Sequence, residues 1–172
     1  MSILIAVRDS PKYHASREIL ESMGMNPVHV AAVYHTEQAH RFPPWIFKLH
    51  PSQKVKAGEW GCALAHCDAW KLIEKTQCAH IIFEDDIALP ADALQCKQIV
   101  EDTVSRFGDR DIVFLGYFDT FLTTHAYRVT PAGARKLLEG VDTIHRVVPT
   151  PVDHHIRRLC QQGKLTYGHA PN

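Results

Sequence analysis

His80-Ile81-Ile82-Phe83-Glu84-Asp85-Asp86, followed by Ile87-Ala88-Leu89-Pro90, is where the reading of this chain begins. Ile81, Ile82 and Phe83 are β-branched or aromatic without a break, which predicts a short buried strand. Three consecutive carboxylates then stand where the strand ends. In open α/β sheets, ligands bind just outside the carboxyl ends of the strands. Adjacent carboxylates repel one another unless a cation or hydrogen bonds relieve them. A hard divalent ion such as Mg²⁺ or Mn²⁺ would do so and would bring phosphates with it. A solvated acidic turn is the alternative, since charges ordinarily sit on surfaces. If the strand runs on through the acids, Glu84 and Asp86 point one way and Asp85 the other.

Working outward, Ile3-Leu4-Ile5-Ala6-Val7 is a continuous apolar run and predicts a buried first strand. Ser10 can cap a helix whose first position suits Pro11, and Gly24 is a natural stop after it. Residues 28–33 read as a second strand, so strand, helix and strand imply a parallel pair with a right-handed crossover. Residues 34–55 show no clear period and hold Pro43, Pro44 and Pro51. They read as a long loop, either functional or an apolar flap on the core. Residues 58–75 read as a strong helix. Trp60, Leu64, Cys67, Trp70 and Ile73 form its buried stripe, with Glu59, Cys62 and His66 on another face. Glu59 falls in the first turn of that helix, where the dipole favours an acid.

Residues 91–106 predict a further helix, and residues 111–115 a strand. Asp109-Arg110-Asp111 repeats the acidic pattern but stands at the amino end of its strand, the wrong edge for a ligand. Ala126-Tyr127-Arg128-Val129 can be a strand, and Thr130-Pro131 starts a helix by cap and first-turn proline. Pro151-Val152-Asp153 leads into a last helix, where Asp153 could be a plain cap. The tail from Lys164 can add an edge strand.

The 172 residues suggest one domain, 1–172, with room for a real core. Lys plus Arg equals Asp plus Glu at 19 each, so no basic field invites nucleic acid. No apolar run reaches the length of a membrane span, which leaves peripheral membrane contact open. We expect no signal peptide and a cytoplasmic location. The five cysteines are odd in number and lack CxxC spacing, which suggests reduced thiols.

Four blocks in order match a known pattern. Gly58-Glu59-Trp60-Gly61-Cys62-Ala63-Leu64-Ala65-His66 with Trp70 resembles the GE-x-GC-x-x-SH helix of the family 25 glycosyltransferases, which include lipooligosaccharide sugar transferases of bacteria. Phe83-Glu84-Asp85-Asp86 resembles their LEDD-type turn. Ala126 to Ala134 is similar to their Tyr strand and GA helix, and Pro151-Val152-Asp153 to their PVD block. The resemblance implies an α/β, GT-A-like fold with a mainly parallel sheet flanked by helices. It implies inverting transfer of a sugar, often galactose, from a UDP-sugar to a saccharide or glycolipid acceptor, with Mn²⁺ or Mg²⁺ bridging the diphosphate.

Inverting transfer needs a base for the acceptor hydroxyl and a cation for the leaving diphosphate. We expect Glu84 and Asp86 to hold metal and Asp85 to help position the donor sugar. Arg8 and Asp9, at the end of the first strand, would contact the nucleotide. Asp153 is the expected base, with Glu59 or His66 as the substitute. Two departures from the family pattern are Val7-Arg8-Asp9-Ser10, where an N-L-D-R type sequence is usual, and Ala65, where Ser is usual. The first of these, with the short length of the chain, favours a second reading, a nucleotide-sugar-binding protein with lost or residual activity. A metal-dependent phosphohydrolase is a third.

Overall fold

In the computed structural model, residues 1–33, 55–89, 91–118, 121–122, 124–139, 141 and 151–170 are described. The chain begins with strand β1 (Ser2–Ala6), helix α1 (Pro11–Ser22) and strand β2 (Pro27–Ala31). Ser10 caps α1 by accepting from the Tyr13 N–H at 3.0 Å. Gly24 closes it at φ +72°, a conformation that suits a residue without Cβ. The stretch read as a long loop lies outside the described residues for positions 34–54. Helix α2 (Val55–Thr76), strand β3 (His80–Glu84) and helix α3 (Ala93–Phe107) follow. Then come β4 (Ile112–Phe114), a small pair β5 (Tyr117–Phe118) and β6 (Phe121–Leu122), β7 (Ala126–Val129), α4 (Pro131–Glu139), α5 (Val152–Gln161) and β8 (Tyr167–His169).

The main sheet has the order β2-β1-β3-β7-β4-β8. β1 pairs in parallel with β2 and β3, and β4 in parallel with β8. β7 alone runs backwards, antiparallel to both β3 and β4. The α/β architecture, with a mostly parallel sheet flanked by helices, is therefore as expected and compatible with a GT-A-like fold. The reversal of β7 makes the sheet mixed, which no period in the sequence announced.

Both faces are covered. Leu4, Ala6 and Phe83 pack against Tyr13 and Leu20 of α1. Ile3, Ile5, Ile82 and Tyr127 pack on the other face with residues of α2, α4 and α5. Trp60, Cys67, Trp70 and Ile73 of the expected stripe are all buried, and Leu64 packs against them partly buried. At the amino end of β4, Asp111 is a structural tie. Its carboxylate accepts from Lys136 Nζ at 2.7 Å, Thr166 N at 2.8 Å and the Thr166 hydroxyl at 2.9 Å. The second acidic pattern thus joins β4 to α4 and to the approach to β8. At Gly133 a Cβ would lie 2.3 Å from the Asp111 carbonyl oxygen, so the α4 start can approach β4 only with glycine there. Among the described residues, no helix is long and apolar enough to cross a membrane.

Candidate active site

Glu84 is the last residue of β3, and Asp85 and Asp86 form a turn rather than more strand. The alternation argument for Glu84 and Asp86 therefore fails in its premise, since the pleat ends at Glu84. The two acids are brought together by another route. β7 runs antiparallel to β3, with Phe83 opposite Ala126, so the residues ahead of Ala126 arrive at the carboxyl end of β3. The Glu84 N–H donates to the His125 carbonyl at 3.0 Å. His125 Nδ1 is 2.8 Å from Asp86 Oδ1 and 4.0 Å from Glu84 Oε2. Glu84, Asp86 and His125 can each offer a ligand atom within 4.8 Å of the others.

His125 escaped the sequence reading because its place depends on the direction of β7. Two carboxylates and an imidazole at an exposed turn form a donor set that suits Mn²⁺, and Mg²⁺ through the carboxylates. The residues present therefore fit a divalent ion at this position.

On the other side of Glu84 lies a buried relay. His66 is wholly buried and both ring nitrogens are engaged. Its Nδ1 is 2.6 Å from the Tyr127 hydroxyl and its Nε2 is 3.1 Å from Glu84 Oε1. Trp70 Nε1 donates to the same Tyr127 oxygen at 3.0 Å. With a neutral ring the order runs Trp70 N–H to Tyr127, Tyr127 O–H to His66, His66 N–H to Glu84. Burial keeps the Tyr127 phenol protonated well above its usual range. For His66, burial opposes the charge, but Cys62 and Glu84 outweigh it and push the imidazole up to about 9. Burial likewise opposes ionisation of Glu84, and is outweighed by His66, Thr124 and His125, which hold it down to about 2.

These opposed shifts set a pH dependence. Glu84 titrates at 4.5 in its ordinary state and His66 at 6.5. A carboxyl held below its usual value stabilises above pH 4.5 and loses that contribution as pH falls towards 2. An imidazole held above its usual value stabilises below pH 6.5 and loses that contribution as pH rises towards 9. The pair contributes in full between about pH 4.5 and 6.5. In EDTA, urea unfolding should show wild type losing on the order of 3 kcal/mol between pH 6.5 and 9. His66→Gln should flatten that limb. Equal alkaline slopes in the two proteins would overturn the ion-pair account.

A cavity of about 290 Å³ opens at this edge of the sheet. Ile5, Val33, Cys62, His66, Glu84 and Asp85 are in its wall, contributed by the β1–β2–β3 edge and by α2. Gly58, Gly61 and Ala65 give the α2 side little bulk, and a Cβ at Gly58 would meet nothing within 4 Å. The other expected residues are not in its wall. Arg8 and Asp9 are exposed just past β1, Asp9 in a left-handed conformation at φ 61°. Glu59 is the fifth residue of α2, not in its first turn as expected, because the helix starts at Val55. Asp153 is in the first turn of α5, but the cap position belongs to Pro151 and no side-chain cap bond is made. Asp153 is therefore not the plain cap its position allowed. Its carboxylate lies 3.9 Å from His154 Nε2.

Fold and site together describe an α/β protein with a cavity at the carboxyl ends of β1 and β3, the edge where open α/β sheets bind ligands. The chain belongs to glycosyltransferase family 25, described as LPS biosynthesis proteins, whose family model matches residues 12–107. The match takes in Cys62, His66 and the whole acidic turn. His125, Tyr127 and Asp153 fall beyond it. No curated protein matches the chain. Membership supports a glycosyltransferase of lipopolysaccharide biosynthesis, an enzyme with a sugar donor and an acceptor.

Proposed function

We propose that the chain transfers a hexose, galactose foremost, from a UDP-sugar to a saccharide or glycolipid acceptor with inversion. The observation that carries this reading is the cavity at the sheet edge with Glu84 and Asp85 in its wall and Asp86 and His125 beside them. In this reading Glu84, Asp86 and His125 hold Mn²⁺ or Mg²⁺, which when bound offsets the charge of the leaving diphosphate. Asp85 orients the donor sugar from the cavity wall. Arg8 and Asp9 contact the nucleotide from the end of β1. His66 keeps Glu84 ionised and fixed through the bond to its Oε1, itself held by Tyr127 and Trp70. Asp153 takes the proton from the acceptor hydroxyl as that oxygen attacks the anomeric carbon and the UDP oxygen leaves. Glu59 is the substitute for that role, because His66 is wholly buried, bonded through both ring nitrogens and held protonated up to about pH 9.

A thermal-shift screen of nucleotide sugars with and without Mn²⁺ tests the reading, since a ligand bound only by the folded state raises its stability. UDP-hexoses should raise the melting temperature in Mn²⁺ and much less in EDTA. Asp86→Asn should abolish the Mn²⁺-dependent part and leave the unliganded melting temperature near wild type, because Asp86 is exposed at a turn. UDP-sugar affinity equal in Mn²⁺ and EDTA would sink the metal assignment. Binding without transfer or donor hydrolysis would replace the enzyme by a nucleotide-sugar-binding protein.

A further inference from the structure

We propose that Cys62, His66 and Glu84 form a second cation site, for a borderline-soft divalent ion such as Zn²⁺, in the cavity wall beside the acidic turn. Each of the three offers a ligand atom within 4.8 Å of the other two. Tetrahedral Zn²⁺, with bonds of about 2.3 Å to sulfur and about 2.0–2.2 Å to nitrogen and oxygen, needs its ligand atoms roughly 3.3–3.7 Å apart. The three groups are thus within side-chain adjustment of a tetrahedral face. Local structure does the placing. Cys62 and His66 are one helical turn apart on α2, so they share a face, and Glu84 reaches them from the end of β3.

Three further observations point to a metal rather than to packing. First, the remaining nitrogen of His66 is already committed. Its Nδ1 is 2.6 Å from the Tyr127 hydroxyl, which also accepts from Trp70. A histidine that binds metal through one nitrogen ordinarily has the other held in this way. Second, all three residues border the same cavity, so three protein ligands would leave a fourth position open to it, the pattern of exchangeable rather than closed zinc sites. Third, the ligand chemistry differs on the two sides of Glu84. Its Oε1 faces His66 at 3.1 Å, and its Oε2 faces His125 at 4.0 Å, itself bonded to Asp86. Thiolate and imidazole select Zn²⁺ and its neighbours, while carboxylate-rich groups suit Mg²⁺ and Mn²⁺. Glu84 is thus shaped to serve a soft site with one oxygen and a hard site with the other. On binding, the Cys62 thiol and the protonated His66 ring each give a proton to solvent, and His66 ligates through Nε2 while its Nδ1–H donates to the Tyr127 oxygen.

Co²⁺ is the probe, because a thiolate ligand gives it a near-ultraviolet charge-transfer band and tetrahedral geometry gives it intense visible bands. EDTA-stripped wild-type protein titrated with Co²⁺ should show both, and Zn²⁺ should erase them. Cys62→Ser should lose the charge-transfer band and bind Zn²⁺ at least about tenfold more weakly, the scale that even loss of an outer partner produces. Asp86→Asn should keep the band, with Zn²⁺ affinity within about threefold of wild type, because Asp86 belongs to the other group. A measurement on unmutated protein guards against misfolding of the cysteine variant. Zn²⁺ should slow iodoacetamide labelling of Cys62, read by peptide mass spectrometry, at least about tenfold, and Mg²⁺ should not. Absence of a thiolate band, a band that survives Cys62→Ser, a band lost in Asp86→Asn, or Zn²⁺-insensitive labelling of Cys62 would each overturn the proposal.

Discussion

Asp153→Asn is expected to cut the rate of sugar transfer about 10²–10⁴-fold, the usual contribution of a positioned general base. Donor affinity and melting temperature should stay close to wild type. The structure removes the simplest competing role, since the cap of α5 is Pro151 and the Asp153 side chain makes no capping bond. What remains structurally is an acid in the first turn, favoured by the helix dipole by about 0.3–1 kcal/mol, and 3.9 Å from the exposed His154 Nε2. Asparagine has nearly the same shape, so the folded state should lose no more than that. The helix itself is anchored by Val152, Ile156 and Leu159 in the core, so its start is held from within. A carboxylate mounted there is fixed rather than trailing. Transfer rate, donor affinity and melting temperature measured on one purified mutant separate the roles. A base lost from the transition state lowers turnover with donor binding kept. A rate within about threefold of wild type would move the base to Glu59.

Much of the frame was legible because its causes are local. The apolar runs at Ile3 and Ile81 gave β1 and β3, and Ser10 with Pro11 marked the start of α1. Asp109-Arg110-Asp111 does stand at the amino end of its strand, as expected. Its actual task was invisible, because Lys136 and Thr166 come from 25 and 55 residues away. The start of α2 was misplaced at Gly58 because glycine costs a helix interior about 1 kcal/mol and so reads as a boundary. Here the helix begins three residues earlier and carries Gly58 inside, beside the cavity. That shift takes Glu59 out of the first turn. His125 was missed for a topological reason. A four-residue strand carries no mark of its direction, and only the antiparallel run of β7 brings His125 to the acids. His66 was seen but its burial was not. Helical spacing shows which residues share a face, not which face meets the sheet.

Trp70 of the same relay is among the largest fully buried side chains of the core. Trp70→Ala is expected to destabilise the protein by roughly 3–5 kcal/mol, the range for large buried aromatics. The indole is 1% exposed in the layer where α2 and α5 meet. Its ring centroid is 6.2 Å from His66 and 6.2 Å from His155. His155 is itself wholly buried, with burial holding it below its usual pKa, so a neutral ring backs the indole. Removing the indole leaves a void between two helices and takes one donor from the Tyr127 hydroxyl. Trp70→Phe separates the two effects, since it keeps most of the volume and drops the N–H. It should cost about 1–3 kcal/mol, the penalty for an unmade buried hydrogen bond. Urea unfolding at pH 6 in EDTA measures both, with the acid and base limbs of the His66–Glu84 pair out of play. A loss below about 1 kcal/mol for Trp70→Ala would show that the site can collapse around the gap, and would sink the packing account. A Phe variant as unstable as the Ala variant would place the whole cost in the Tyr127 bond. In that case loosening Trp70 should also loosen His66, and the alkaline limb of wild type should flatten in Trp70→Phe as it does in His66→Gln.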